Sequence, residues 1–146
     1  MTTLRTQIVT EIVTALNTDA PSGFPVASRL RLHQLENEEL PAISVFPVRD
    51  VVQPATNRPG PLVLRELAIT VEVRISGDDP DVLLDPYVAR VEQVLARYQG
   101  VSIDVHDCLI QSVDYEFAQR AQMHGAAAVQ AIVHYQSRRD DPERAQ

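Results

Sequence analysis

The sequence predicts an α+β domain, an antiparallel β-sheet of about four strands with two helices packed on one face. Three observations carry that prediction. Two segments repeat apolar residues at spacings of three and four, the period of an amphipathic helix. Two pairs of segments alternate apolar with polar residues or are dense in Val, Ile and aromatic residues, as strands are. Each helix has one apolar stripe and each strand pair one apolar face, so placing both helices on one side of a single sheet buries all of them.

The first helix is expected over residues 2–17, where Leu4, Ile8, Ile12 and Leu16 recur every fourth position and Val9, Val13 and Ala15 widen the stripe. Thr2 or Thr3 can cap it, and Asn17 through Gly23 ends it. Alternation from Arg29 to His33 suggests a short strand, followed by an acidic turn at Glu36–Glu39. Residues 41–52 read as a strand. Pro47 has no N–H, so this strand is expected at an edge or interrupted by a bulge.

Residues 53–61, QPATNRPGP, make a stiff, protruding connection. In the next strand Leu67, Ile69, Val71, Val73 and Ile75 face one way and Glu66, Thr70, Glu72 and Arg74 the other. Leu62 and Leu64 are out of that phase, which predicts a bulge or bend near Arg65 and Glu66. A second helix is expected over 81–98, capped by Asp79 or Asp81 or starting regularly only at Asp85-Pro86, with a stripe of Leu84, Tyr87, Val88, Val91, Val94, Leu95 and Tyr98. Two strands close the domain. Residues 107–118 set Leu109, Val113, Tyr115 and Phe117 on one face, and residues 127–137 align Val129, Ala131, Val133 and Tyr135. One domain over 1–137 is expected, with a charged, mobile tail over 138–146.

Composition narrows the function. The chain has 146 residues, one domain's worth, and a net charge of −7, which argues against general nucleic-acid binding because phosphate contacts need clustered positive charge. All 13 basic residues are arginine, a residue suited to bidentate carboxylate contacts. Cys108 is the only cysteine, so no intrachain disulfide forms, and a reducing compartment fits. The opening residues do not read as a signal peptide, and no stretch reaches the ~20 apolar residues of a membrane span.

Candidate chemistry is sparse. His106 and Cys108 would share a strand face, the most suggestive nucleophile arrangement, but no oxyanion feature or second base accompanies them, and a buried structural thiol explains Cys108 better. The four histidines are scattered without metal-ligand spacing, and Asp78-Asp79-Pro80-Asp81 lacks the glycine and distal glutamate of a calcium loop. No cofactor site is expected, nor an enzyme. The residues that do invite a function are charged ones of both signs. Glu66, Glu72 and Arg74 lie on the polar strand face. Arg49, Asp50 and Arg65 lie at the base of the proline-rich arm, and Arg58 near its tip. Such a mixed surface suits a specific protein contact, and these seven are the candidate subunit-interface residues.

Four stretches carry a family resemblance: LRTQIVTEIVTALN, ENEELPAISVFPV, LAITVEVRISGDDPDVLLDPYVARVEQVL, and IQSVDYEFA followed by AAAVQAIVHYQ. Over residues 4–136 the layout resembles the tail-terminator proteins of long-tailed bacteriophages and prophages, the minor tail protein U family. The resemblance implies a structural virion protein that forms a ring, usually a hexamer, capping the tail tube and ending its polymerisation. Its partners would be further copies of the chain, the tail tube protein and a head-completion or connector protein. DNA would only pass through the channel, and an acidic lumen would let it slide. The protein would reside in the virion tail after synthesis in the bacterial cytoplasm, with no membrane involved. Competing readings are another phage neck or head-completion protein, a small non-catalytic adaptor module, and a small enzyme centred on His106 and Cys108.

Overall fold

In a computed structural model of the chain, residues 2–29, 40–55, 60–119 and 122–144 are described. The elements run α1 (Leu4–Asn17), β1 (Ala27–Arg29), β2 (Ala42–Pro54), β3 (Leu62–Ser76), α2 (Pro80–Arg97), β4 (Val105–Gln119) and β5 (Met123–Arg138). Among the described residues the sheet has five strands in the order β1-β2-β3-β5-β4. The α+β class fits the sequence, but the sheet has one strand more than expected and is mixed: β1 pairs parallel with β2 through Ala27–Ile43, Ser28–Ser44 and Arg29–Val45. The rest of the expected strand over Arg29–His33, and the acidic turn Glu36–Glu39, lie outside the described residues.

The remaining ladders are antiparallel. Helix α2 connects β3 to β4, and β5 returns between them, so the two hairpins become neighbours through β3 and β5. Both helices cover the same face. Leu4, Ile8, Val9, Ile12 and Leu16 of α1, and Leu84, Val88, Val91, Val94 and Leu95 of α2, are buried. They meet Leu67, Ile69, Val71, Val73 and Ile75 of β3 and Val129, Ala131, Val133 and Tyr135 of β5, all buried in one cluster. Burying one such side chain contributes roughly 1.5–3 kcal/mol, so these aligned stripes are the main source of stability.

Local chemistry sets the helix ends. Thr3 caps α1, its hydroxyl accepting the Thr6 amide proton. Helix α2 begins at Pro80 and runs through Pro86 as one helix, rather than starting regularly at Pro86. Asp79 precedes it in a left-handed conformation and makes no side-chain cap, so Pro80, at the first helical position, sets the start. Beyond α2, Gly100 takes φ +83°, and a Cβ there would lie 2.0 Å from the Ile103 carbonyl oxygen. That turn presents Tyr98 Oη, the Val101 and Ser102 amides and the Ser102 hydroxyl to the Glu11 carboxylate of α1 at 2.8–3.0 Å.

Two further expectations need correcting. No bulge interrupts β3 near Arg65 and Glu66: it pairs with β5 in unbroken register from Leu62 to Ser76. Arg65 simply occupies an inward position, because groups on neighbouring strands hydrogen-bond it there. The break on this side falls in β2 between Pro47 and Arg49, where the missing proline N–H led one to expect it. In β4 the register shifts between Ile110 and Ser112, which reverses the phase, so Leu109 is 48% exposed on the helix-free face, opposite to Val113, Tyr115 and Phe117. Among the described residues after β5, the Leu4 amide donates to the Pro142 carbonyl at 3.0 Å, Arg139 N to Pro61 O at 2.7 Å, and Arg138 N to Arg144 O at 2.8 Å.

Candidate assembly surface

Strand pairing orders the face that the helices leave open. One row crosses the sheet as Ser44, Glu72, Ala128 and Asp114; the next as Phe46, Thr70, Gln130 and Ser112. Beyond the β2 bulge come Arg49, Ala68, Ile132 and Leu109, and then Val51, Glu66, His134 and Asp107. Small and apolar side chains thus occupy parts of each row, with charges both at the outer strands (Arg49, Asp107, Asp114) and on the central strand β3 (Glu66, Glu72).

The sequence candidates separate into two groups on this frame. Glu66, Glu72 and Arg74 lie on the helix-free face, as the alternation predicted. Arg74 Nε donates to Glu72. Glu66 Oε1 is 3.5 Å from His134 Nε2, and the other ring nitrogen of His134 contacts Asp107. A three-strand polar row, Glu66–His134–Asp107, results. Arg49 shares this face and is exposed.

Asp50 and Arg65 turn the other way, beneath α1. Asp50 Oδ2 accepts from Arg65 Nη1 at 2.9 Å, from Tyr135 Oη at 2.9 Å and from Arg5 Nη1 at 3.4 Å. Arg65 Nε donates to Ser137 Oγ at 2.7 Å. Burial, and then the neighbouring Asp50 carboxylate, push the Tyr135 hydroxyl well above the usual tyrosine range. These charges are partnered within the protomer, so Asp50 and Arg65 hold α1, β2, β3 and β5 together. Arg58 lies outside the described residues.

Sequence reasoning did not single out Asp107, His134, Arg5, Tyr135 or Ser137 for these contacts. Tyr135 carried a signal, since a tyrosine in a buried phase needs a partner for its hydroxyl; the other partners come together only through long-range pairing.

Cys108 is buried, and burial followed by the Asp107 charge pushes its thiol up to about 11, so it is protonated at neutral pH. Because the register also shifts between Val105 and Asp107, Cys108 aligns inward with Val105 and the expected common face with His106 does not form. A recess of about 340 Å³ is lined by Gln53, Leu64, Arg65, Glu66, His106, His134 and Tyr135, and Cys108 is not part of its wall. Among the described residues, no group of three or more His, Cys, Asp or Glu is arranged to hold a metal ion, and no helix is long and apolar enough to cross a membrane.

No family model matches the chain, and no curated protein sequence matches it significantly. Among solved structures it is similar to a chain of the "Virion of native gene transfer agent (GTA) particle", with 11% sequence identity and a TM-score of 0.53, over 90% of this chain and 94% of that one. At that identity the likeness is one of fold. The class so defined is an α+β fold shared across nearly the full length of both chains.

Proposed function

We propose that this chain is a structural component of a phage-like virion, and specifically a tail terminator: a non-catalytic subunit that closes with copies of itself into a ring capping the tail tube. The observation that carries the reading is the shared fold with a gene transfer agent virion component over 90% of the chain. The layout of elements that resembles tail terminators in sequence agrees with it. The surface supports it as well, because Glu66, Glu72, Arg74 and Arg49 form a two-signed polar face suited to a wet, specific contact. A repeated head-to-tail contact that closes after a fixed rotation gives a ring without further components.

Mass photometry of the purified chain over a concentration series tests this reading. A single closed oligomer, with hexamer as the expected number, should grow in at the expense of monomer, and adding tail tube protein should yield capped tubes of limited length. A species that stays strictly dimeric at all concentrations and leaves tube growth unchanged would rule out the terminator.

A further inference from the structure

Among the described residues the sheet has two open margins, and their side chains complement each other face by face. Strand β4 ends the sheet on one side. On the other, β1 covers β2 only from Ile43 to Val45, and among the described residues no strand pairs with the outer edge of β2 from Phe46 to Pro54. A long uncovered edge with apolar side chains is a template for pairing with another chain. The distal half of β4 has this character: Tyr115 and Phe117 stack with ring centroids 6.1 Å apart while remaining 49% and 46% exposed.

Register fixes the direction of each side chain. Tyr115 and Phe117 lie opposite Ala127 and Gly125, on the helix-covered face, whereas Asp114 and Glu116 lie opposite Ala128 and Ala126, on the helix-free face. On β2, Val52 lies opposite Arg65 on the helix-covered face and is 48% exposed, whereas Arg49 lies opposite Ala68 on the helix-free face. Among the described residues β4 carries three carboxylates, Asp107, Asp114 and Glu116, and no arginine. The exposed charge of the open β2 stretch is Arg49, since Asp50 is held by Arg65.

We propose that the distal edge of β4 in one copy pairs with the Phe46–Pro54 edge of β2 in the next, a pairing that rests on the assembly reading above. In that junction Arg49 faces Glu116 with Asp114 diagonal to it on one surface, and Val52 meets Val113 with Tyr115 diagonal to it on the other. The ladders make β2 and β4 antiparallel within a protomer, so a neighbour with its helices on the same side presents β2 antiparallel to β4. Pairing β4 with itself would set Asp114 and Glu116 against their own copies, and pairing β2 with itself would oppose two Arg49 side chains; like charges facing across strands are destabilising. The contact is therefore head-to-tail. The distal half of β4 is level with the part of β2 that β1 covers, through Ser112–Gln130–Thr70–Phe46 and Asp114–Ala128–Glu72–Ser44. Neighbours consequently meet with a stagger along the strands, which a closed ring accommodates by tilting the strands against its axis.

Charge reversal tests the junction. Arg49→Glu alone, and Asp114→Arg with Glu116→Arg, should each raise the concentration at which the oligomer forms in mass photometry by about tenfold or more, while melting curves of the monomer stay close to wild type. The triple variant Arg49→Glu/Asp114→Arg/Glu116→Arg restores opposite charges in swapped positions and should assemble near the wild-type concentration. If both reversals assemble like the wild type, or if the triple variant remains as impaired as the sum of its parts, the edge pairing is wrong while the ring stands. If the wild type itself never leaves the monomer, the assembly reading beneath it fails.

Discussion

Glu11 is a helix residue whose side-chain hydrogen bonds all go to the turn after α2. Its carboxylate collects four donors from Tyr98, Val101 and Ser102 and so ties α1 to the turn after α2. Burial by itself would raise its pKa, but the hydrogen bonds from Ser102, Tyr98 and Val101 outweigh it, and the group ends below the ordinary glutamate value of 4.5. The native chain therefore holds this proton less readily than the unfolded chain. The stability it contributes is complete above pH 4.5 and is lost as the pH falls through the lowered value. Glu11→Gln should destabilise the protein at neutral pH by about 1–3 kcal/mol, since a charged acceptor is removed. It should also flatten the acid limb, so that wild type and variant converge in urea midpoints measured from about pH 6 down to 3. An unchanged difference across that range would mean that the carboxylate charge plays no part.

At the scale of elements, the critical approach is that of α2 to the β4–β5 hairpin. A Cβ on Gly125 would lie 2.8 Å from Pro80 Cβ, 3.2 Å from Leu84 Cδ1 and 3.3 Å from Phe117 Cδ1. Gly125→Val should therefore push the start of α2 off the sheet and cost about 1–3 kcal/mol as overpacking, read as a lower urea midpoint, with Gly125→Ala costing less. The sequence announced some elements clearly and others not at all, for reasons visible in these contacts. The stripes of α1 and α2 and the alternations of β3 and β5 were readable because each buries one face against one layer, and Glu66, Glu72 and Arg74 were placed outward by the same period. The phase of β4 was not, because one extra residue between Ile110 and Ser112 reverses it without any proline or glycine to mark the spot. Arg65 looked like a surface charge because its partners Asp50 and Ser137 are remote in sequence, and β1 pairs in parallel through a contact no local pattern encodes.

For the molecule as a whole, chain connectivity and spatial order diverge. The amide of Leu4 at the start of α1 is bonded to the carbonyl of Pro142, 138 positions later, at 3.0 Å. The path of the backbone therefore nearly closes on itself, and the point at which it is cut matters little to the packed core. A circular permutant that joins residues 144 and 2 through a short flexible linker and opens between Asp78 and Asp79, both exposed, should keep the native far-ultraviolet spectrum and a cooperative melt. A non-cooperative melt would show that α1 must be made before the sheet. In an assembled particle the same near-closure has a practical consequence. In the ring proposed above, labels joined at residues 2 and 144 would lie close together beside the first turn of α1, so two different labels could be displayed side by side once per copy.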